Sequence, residues 1–199
     1  MKPDRVLTWS DAASADWALA QECVAGDEEA CARLVTDHQR MVYHLALHLL
    51  ADPQEALDLS QEVFLRVFRT LPQFRGQSTL RTWIYRIVVN QVSNRRRWWS
   101  RRHRSKQVAL EDYALTHGEI AESRRFAMPD HVLTQREAAR KVWTALDSLP
   151  FDQRTVLVLR EIDGLTYDEI ATSTNVAVGT VKSRLARARE SLRAALRNP

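Results

Sequence analysis

Apolar residues return at three- and four-residue steps through most of this chain, the spacing that gathers them on one face of a helix. Leu34, Val35, His38, Met41, Val42, Leu45, Ala46 and Leu49 repeat in this way inside a block from about Ala15 to Leu50, which predicts one or two amphipathic helices. The turn signal Ala51-Asp52-Pro53 separates that block from a helix reaching about Leu71. It carries Val63, Phe64, Val67, Phe68 and Leu71 on one face and Asp58, Gln61, Glu62, Leu65 and Arg69 on others. Pro72 ends it, Phe74 to Ser78 reads as a loop, and Ser78 or Thr79 is placed to cap a third helix with Trp83, Ile84, Ile87, Val88 and Val92.

The periodicity fades between Arg101 and Met128, where charges and isolated apolar residues mix, and returns near His131 with Val132, Ala139, Val142, Trp143, Leu146 and Leu149. Pro150 opens the next helix, which contains Val156, Leu157, Leu159 and Ile162, and Asp163-Gly164 stops it. The pattern divides the chain into a helical unit over 15–100, a flexible linker over 101–129 and a second helical unit over 130–199. Only five glycines and six prolines interrupt 199 residues of 45% hydrophobic content, so the expected fold is all-α with two small domains.

Leu165 to Arg189 has the layout of a helix-turn-helix. Thr166 and Glu169 form a capping box, Ile170 and Ala171 point inward, and Ser173-Thr174-Asn175 makes the turn. Val178-Gly179-Thr180 then opens a longer helix on which Val181, Leu185, Ala188 and Leu192 are spaced to pack inward. That leaves Lys182, Ser183, Arg184, Ala186 and Arg187 for a DNA groove. Gly179 and Thr180 at the helix start permit close approach to phosphate, and arginines one turn on reach guanine edges. A basic helix face of this kind is also an ordinary solvated surface; the capping box, turn and apolar spacing together favour DNA.

Charge strengthens that reading. The formal net charge is only +4, but twelve of the 25 acidic residues fall between Asp4 and Glu62, and none lies from Val63 to Leu110. That acid-free stretch contains Arg66, Arg69, Arg75, Arg81, Arg86, Arg95, Arg96, Arg97, Arg101, Arg102, Arg104 and Lys106, and Lys182 to Arg197 holds six cations against Glu190 alone. Two basic footprints point to a polyanion partner. No apolar run has the roughly 20 residues that span a bilayer, and no export segment is evident, so a cytoplasmic location without membrane insertion is expected. Cys23 and Cys31, eight residues apart on what reads as one helix, are expected to be reduced, packed thiols. Without CxxC or HxxxH spacing no metal site is expected, and no cofactor or catalytic residue is required.

Several ordered motifs resemble the extracytoplasmic-function (ECF) group of the sigma-70 family of RNA polymerase sigma factors. They are Asp58-Leu-Ser-Gln-Glu-Val-Phe64, Phe74-Arg-Gly-Gln-Ser-Thr-Leu-Arg-Thr-Trp-Ile-Tyr-Arg-Ile-Val-Val-Asn90, Ser148-Leu-Pro150, Leu159-Arg-Glu-Ile-Asp-Gly-Leu-Thr-Tyr-Asp-Glu-Ile-Ala171 and Val178-Gly-Thr-Val-Lys-Ser-Arg-Leu-Ala-Arg-Ala-Arg189. The resemblance implies that the first domain binds the polymerase β′ clamp helices and the promoter −10 element, and that the second binds the −35 element and the β flap. It directs Asp58, Gln61, Glu62 and Leu65 to polymerase, and makes the Phe74 to Ser78 loop a pocket for a flipped −10 base with Asn90 nearby.

Phe74, Arg75, Gln77, Arg81 and Asn90 are chemically suited to a single-stranded base and its phosphates, and Arg95, Arg96 and Arg97 to backbone phosphate. Trp83 and Tyr85 could stack on bases, although Trp83 also fits the core. An anti-sigma partner and a linker threading through polymerase are implied as well. Met1 to Ala15 and Trp98-Trp99 receive no role. The competing readings are a conventional helix-turn-helix regulator, which binds palindromic duplex without polymerase, and a nuclease, for which Asp163, Asp168 and Glu169 are better explained as turn and helix-start residues.

Overall fold

Gly26 decides the start of the fold. Its φ of +94° stops helix α1 (Trp9–Val24), and Asp27 caps helix α2 (Glu28–Leu50) by accepting from the Glu29 and Ala30 amides at 2.9 and 3.1 Å. The Ala15–Leu50 block is therefore two helices folded back on each other, beginning earlier than expected, at Trp9. The turn also corrects the reading of the cysteines. Eight residues of continuous helix would span about 12 Å, but the reversal brings the Cα atoms of Cys23 and Cys31 to 4.9 Å, and the two form a disulfide.

The computed structural model describes residues 9–104 and 141–197, and its regular elements are all helical. Helix α3 (Pro53–Thr70) is capped by Asp52, whose carboxylate accepts from the Glu55 amide at 2.9 Å, and Pro53 occupies its first turn, where no N–H is needed. It buries Ala56, Leu59, Ser60, Val63 and Val67, while Phe68, expected to face inward, is 36% exposed. A 3-10 turn, Leu71–Gln73, follows around Pro72. Helix α4 (Leu80–Arg104) starts after Thr79, whose hydroxyl accepts from the Thr82 amide at 3.1 Å. It runs four residues into the segment read as linker. The rest of that linker, the region from His131 to Ala139 and residues 1–8 lie outside the described residues.

The second unit begins with helical residues 141–147 (α5). Helix α6 (Phe151–Leu157) passes into a π-helical turn, Val158–Ile162, which Gly164 at φ +73° ends. The capping box at helix α7 (Tyr167–Thr174) is formed, with the Thr166 hydroxyl accepting from the Glu169 amide and Glu169 accepting from the Thr166 amide at 2.8 Å. Asn175 takes a left-handed φ of 54° in the turn, and helix α8 (Val178–Arg197) buries Val181, Leu185 and Ala188.

The two units are docked. Helix α7 lies on α4, with the Ser173 hydroxyl donating to the Thr82 carbonyl and the Thr82 hydroxyl donating to Glu169, both at 3.4 Å. The His48 and Trp143 rings stack with centroids 4.6 Å apart, and the Arg96 guanidinium sits 4.4 Å over the Phe151 ring. Arg154 donates to the Leu49 carbonyl at 3.4 Å while pairing with Asp147 at 3.1 Å. Buried residues of both units form a single apolar cluster.

Candidate nucleic-acid interface

Helix α8 presents the first surface. Because Val181, Leu185 and Ala188 are buried, the positions between them face out: Lys182, Ser183, Ala186 and Arg187 are exposed, as is Gly179, and Thr180 is half-buried. A Cβ added to Gly179 would meet nothing within 4 Å, so the helix start is open to a close backbone. The Lys182 ammonium lies 5.7 Å from the Tyr167 ring centroid. Arg184 differs from its neighbours: it is half-buried and pairs with Asp152 at 2.7 Å, so it must leave a protein carboxylate to meet a base.

The loop before α4 and α4 itself form the second surface. Arg75 and Gln77 are exposed, but Phe74 is only 2% exposed, packed between Trp17 and Trp83 at centroid distances of 6.2 and 5.5 Å. Phe74, read as part of a pocket for a flipped base, forms the floor of the loop with the Trp17 side of α1 packed on it. Trp83 is core, at 7% exposure, and Tyr85 is fully buried beneath the second unit. Arg81 donates to the Tyr85 hydroxyl at 3.1 Å and to the Asp163 carbonyl at 3.4 Å, so this candidate DNA contact is occupied by the other domain.

Asn90 is exposed in a cleft of about 470 Å³ between α3 and α4, together with Arg66, Thr70, Gln73, Arg86 and Asn94. Only Asn90 of these was singled out from the sequence as a site residue. The signal was present, since Arg86, Asn90 and Asn94 recur at four-residue steps and so share one polar stripe of α4. Arg96 carries the cation–π contact to Phe151 across the domain junction.

Helix α3 supplies the third surface. Leu57, Gln61, Leu65 and Phe68 follow one another along its outer side, with Leu65 65% exposed, and Asp58 and Glu62 flank them. Asp58 accepts from Gln54 at 3.2 Å. Glu62 and Arg95, assigned from the sequence to polymerase and DNA respectively, pair with each other at 2.8 Å, and Arg95 also pairs with Glu55 at 2.6 Å. Arg95 is thus a clasp between α4 and α3, and a phosphate held there, as read from the sequence, would compete with two carboxylates.

Asp163 lies where the two units meet. Burial raises its pKa from 3.8 to about 6, against the opposing pull of Arg81 and the Tyr85 hydroxyl, and its Oδ2 is buried without a hydrogen-bond partner among the described residues. Burial and the Asp163 charge together push Tyr85 up to about 12. Among the described residues no three or more His, Cys, Asp or Glu side chains are grouped to hold a metal, and no helix is long and apolar enough to cross a membrane.

Residues 34–106 match the family model for Sigma-70 region 2, and residues 139–192 match that for Sigma-70, region 4. Over 181 residues the chain is 37% identical to the RNA polymerase sigma-H factor of Pseudomonas aeruginosa, an alignment covering 91% of this chain and 93% of that protein. It is 35% identical over 178 residues to the ECF RNA polymerase sigma-E factor of Escherichia coli, covering 89% and 92%. Two solved structures share the fold. CnrH in complex with the cytosolic domain of CnrY superposes with a TM-score of 0.65 at 24% identity, covering 92% of this chain and 97% of that one. The sigma factor RpoE in complex with the anti-sigma factor NepR from Bartonella quintana gives 0.63 at 23%, covering 82% and 94%.

Proposed function

From its place in the ECF group of the sigma-70 family, to which this chain belongs and whose members direct RNA polymerase to promoters, we propose how it divides that task between its two domains. Helix α8 enters the major groove of the −35 duplex, where Lys182, Ser183, Arg184 and Arg187 meet base edges and Gly179 and Thr180 take phosphate. The loop Phe74 to Ser78 and the Asn90 cleft hold unpaired −10 bases, with Arg75, Gln77, Arg81 and Arg96 at their edges and phosphates. The α3 face of Asp58, Gln61, Glu62 and Leu65 docks on the β′ clamp helices, and the second domain meets the β flap. The observation that carries this reading is α8, whose polar and basic side chains stand out over a fully buried Val181, Leu185 and Ala188.

The docked arrangement adds a mechanical condition. Elements at −35 and −10 are separated by roughly 25 base pairs, or about 85 Å at 3.4 Å per pair, whereas a folded chain of this length has a radius of gyration of about 16 Å. The α7–α4 contact must therefore open for both elements to be held, which frees Arg81 and uncovers Tyr85. Binding to polymerase supplies the free energy for opening, and no catalytic residue is needed. The protein acts where polymerase does, in the cytoplasm. An anti-sigma protein that covers the α3 face or holds the domains together would oppose it, a reading supported by the fold shared with a sigma factor solved with NepR.

The test is co-elution with core polymerase followed by transcription from a genomic promoter library. The wild type is expected to bind and initiate, Leu65→Arg to lose co-elution, and Arg187→Ala to keep co-elution but lose −35-dependent starts. Duplex binding by the isolated chain with no effect of polymerase would instead support a conventional regulator.

A further inference from the structure

Helix α1 buries little apolar surface, with Leu19, Ala20 and Cys23 as its core residues among those described. It is fixed at three points. The Cys23–Cys31 disulfide ties its last turn to α2. Trp17 packs on Phe74, and its ring lies 3.5 Å from where a Cβ on Gly76 would stand, Gly76 itself holding a φ of +64°. Asp16 accepts from the Leu80 amide at 2.7 Å, across 64 residues of sequence, and so satisfies one of the orphan donors at the start of α4. Asp16, Ala20 and Cys23 are spaced four and three apart, which puts the cap and the cystine on one face of α1. The position of that face sets both the floor of the 74–78 loop and the first turn of α4.

We propose that the Cys23–Cys31 disulfide is a redox modification site that controls −10 capture through α1. This inference rests on reading the 74–78 loop as the −10 pocket. Oxidised, the disulfide holds α1 so that Trp17 and Asp16 fix the loop and the start of α4. In the reduced form two free thiols replace the S–S bond, and α1 is left with two anchors, Trp17 on Phe74 and Asp16 on the Leu80 amide. Reduction is by thiol–disulfide exchange with a dithiol. Its thiolate attacks the sulfur of the half-buried Cys31, releasing the Cys23 thiolate and forming a mixed disulfide. The second thiol of the reductant then displaces Cys31, leaving the reductant oxidised and the chain with two electrons and two protons gained. A peroxide runs the pair the other way: one thiolate is oxidised to a sulfenic acid, which the other thiol condenses upon with loss of water. Gly26 and the Asp27 cap keep the two cysteines adjacent in either state, since neither depends on the disulfide.

The test compares full-length protein oxidised with glutathione disulfide, the same protein reduced with dithiothreitol, and the Cys23→Ser/Cys31→Ser variant. Releasing so short a loop should make α1 opening on the order of 10- to 100-fold more frequent, read as faster hydrogen exchange along α1 and at the Leu80 amide while α3 keeps its protection. In holoenzyme, promoter opening should fall several-fold on reduction and in the double serine variant, with −35 duplex retention unchanged. Trp17→Ala should reproduce the loss of opening with the disulfide intact. Equal Leu80 exchange in the two redox states, or promoter opening insensitive to reduction, would overturn the proposal while leaving the promoter-directing role untouched. Absence of initiation in every state would instead remove the reading on which it rests.

Discussion

Opening of the docked domains should depend on pH through Asp163, and the size of the effect follows from its surroundings. In the docked form its carboxyl keeps a proton up to about pH 6, whereas an exposed aspartate releases it near 3.8. Docking therefore takes up a proton between those values and is favoured as pH falls. It is least favoured above pH 6, where both forms are ionised and the charge has been buried. With these two values the ratio of docked to open protein rises about tenfold between pH 7 and pH 5, or about 1.3 kcal/mol. Partial solvation of Asp163 makes that an upper bound. Asp163→Asn removes the titration and mimics the protonated form, so it should hold the domains docked at pH 7 and flatten the profile. Tyr85 titrates far above this range, and His38, its pKa lowered chiefly by burial, lies near Arg81 and so is a second titrant that a His38→Gln background removes from the comparison. Distance between dyes placed by unnatural amino acids on α3 and α8 reads the equilibrium directly. If the wild type opens on acidification, or Asp163→Asn follows the wild-type profile, the assignment of Asp163 as the docking titrant is wrong.

Two other substitutions probe separate links. Arg154→Met removes the donor shared by Asp147 and the Leu49 carbonyl, and should cost about 2–3 kcal/mol because a buried pair loses one partner, with Asp147 left partly solvated; a urea midpoint shift worth under 0.5 kcal/mol would show that these contacts are replaced by solvent. Thr166→Ala should cost about 1 kcal/mol at the α7 cap and Thr166→Ser much less, which amide exchange across Asp168 to Ile170 would resolve; equal losses for both would mean that the methyl group rather than the hydroxyl matters.

How far the sequence foretold the fold depends on the range of each interaction. The helix-turn-helix was legible because its determinants are local: the Thr166–Glu169 box, the glycine stop at Gly164 and the three- and four-residue steps of α8 act within a few residues. The cap on α4 was legible for the same reason. The cystine was misread because one glycine in a helix pattern is a weak signal, and only its positive φ turns α1 back on α2. The burial of Phe74 was not legible because Trp17, which packs on it, is 57 positions away in sequence, and Asp16 reaches Leu80 across a similar gap. Nor could periodicity show that α7 lies on α4. Tyr85 looks like any aromatic near a basic loop until the second domain covers it.

Many of the cations read as nucleic-acid contacts are already paired within the chain. Arg95 is held by Glu55 and Glu62, Arg184 by Asp152 and Arg189 by Glu161, and Arg81 donates to the Asp163 carbonyl. Each exposed pair contributes at most about 1 kcal/mol, so none prevents binding by itself. Together they mean that DNA phosphate must displace carboxylates that water and salt already compete with. Fewer counterions are then released per contact than the count of arginines implies, and the dependence of duplex affinity on salt becomes shallower. The two basic footprints are strong as sequence and weak as free surfaces. These pairs and the docked domains predict weak duplex binding by the isolated chain, which a mobility-shift titration without polymerase would check. Polymerase relieves both constraints if it separates α7 from α4 and engages Glu62, because the same event frees Arg81 and releases one of the two carboxylates holding Arg95. On the proposed function, affinity for promoter DNA is in this way conditional on the partner that makes the binding useful.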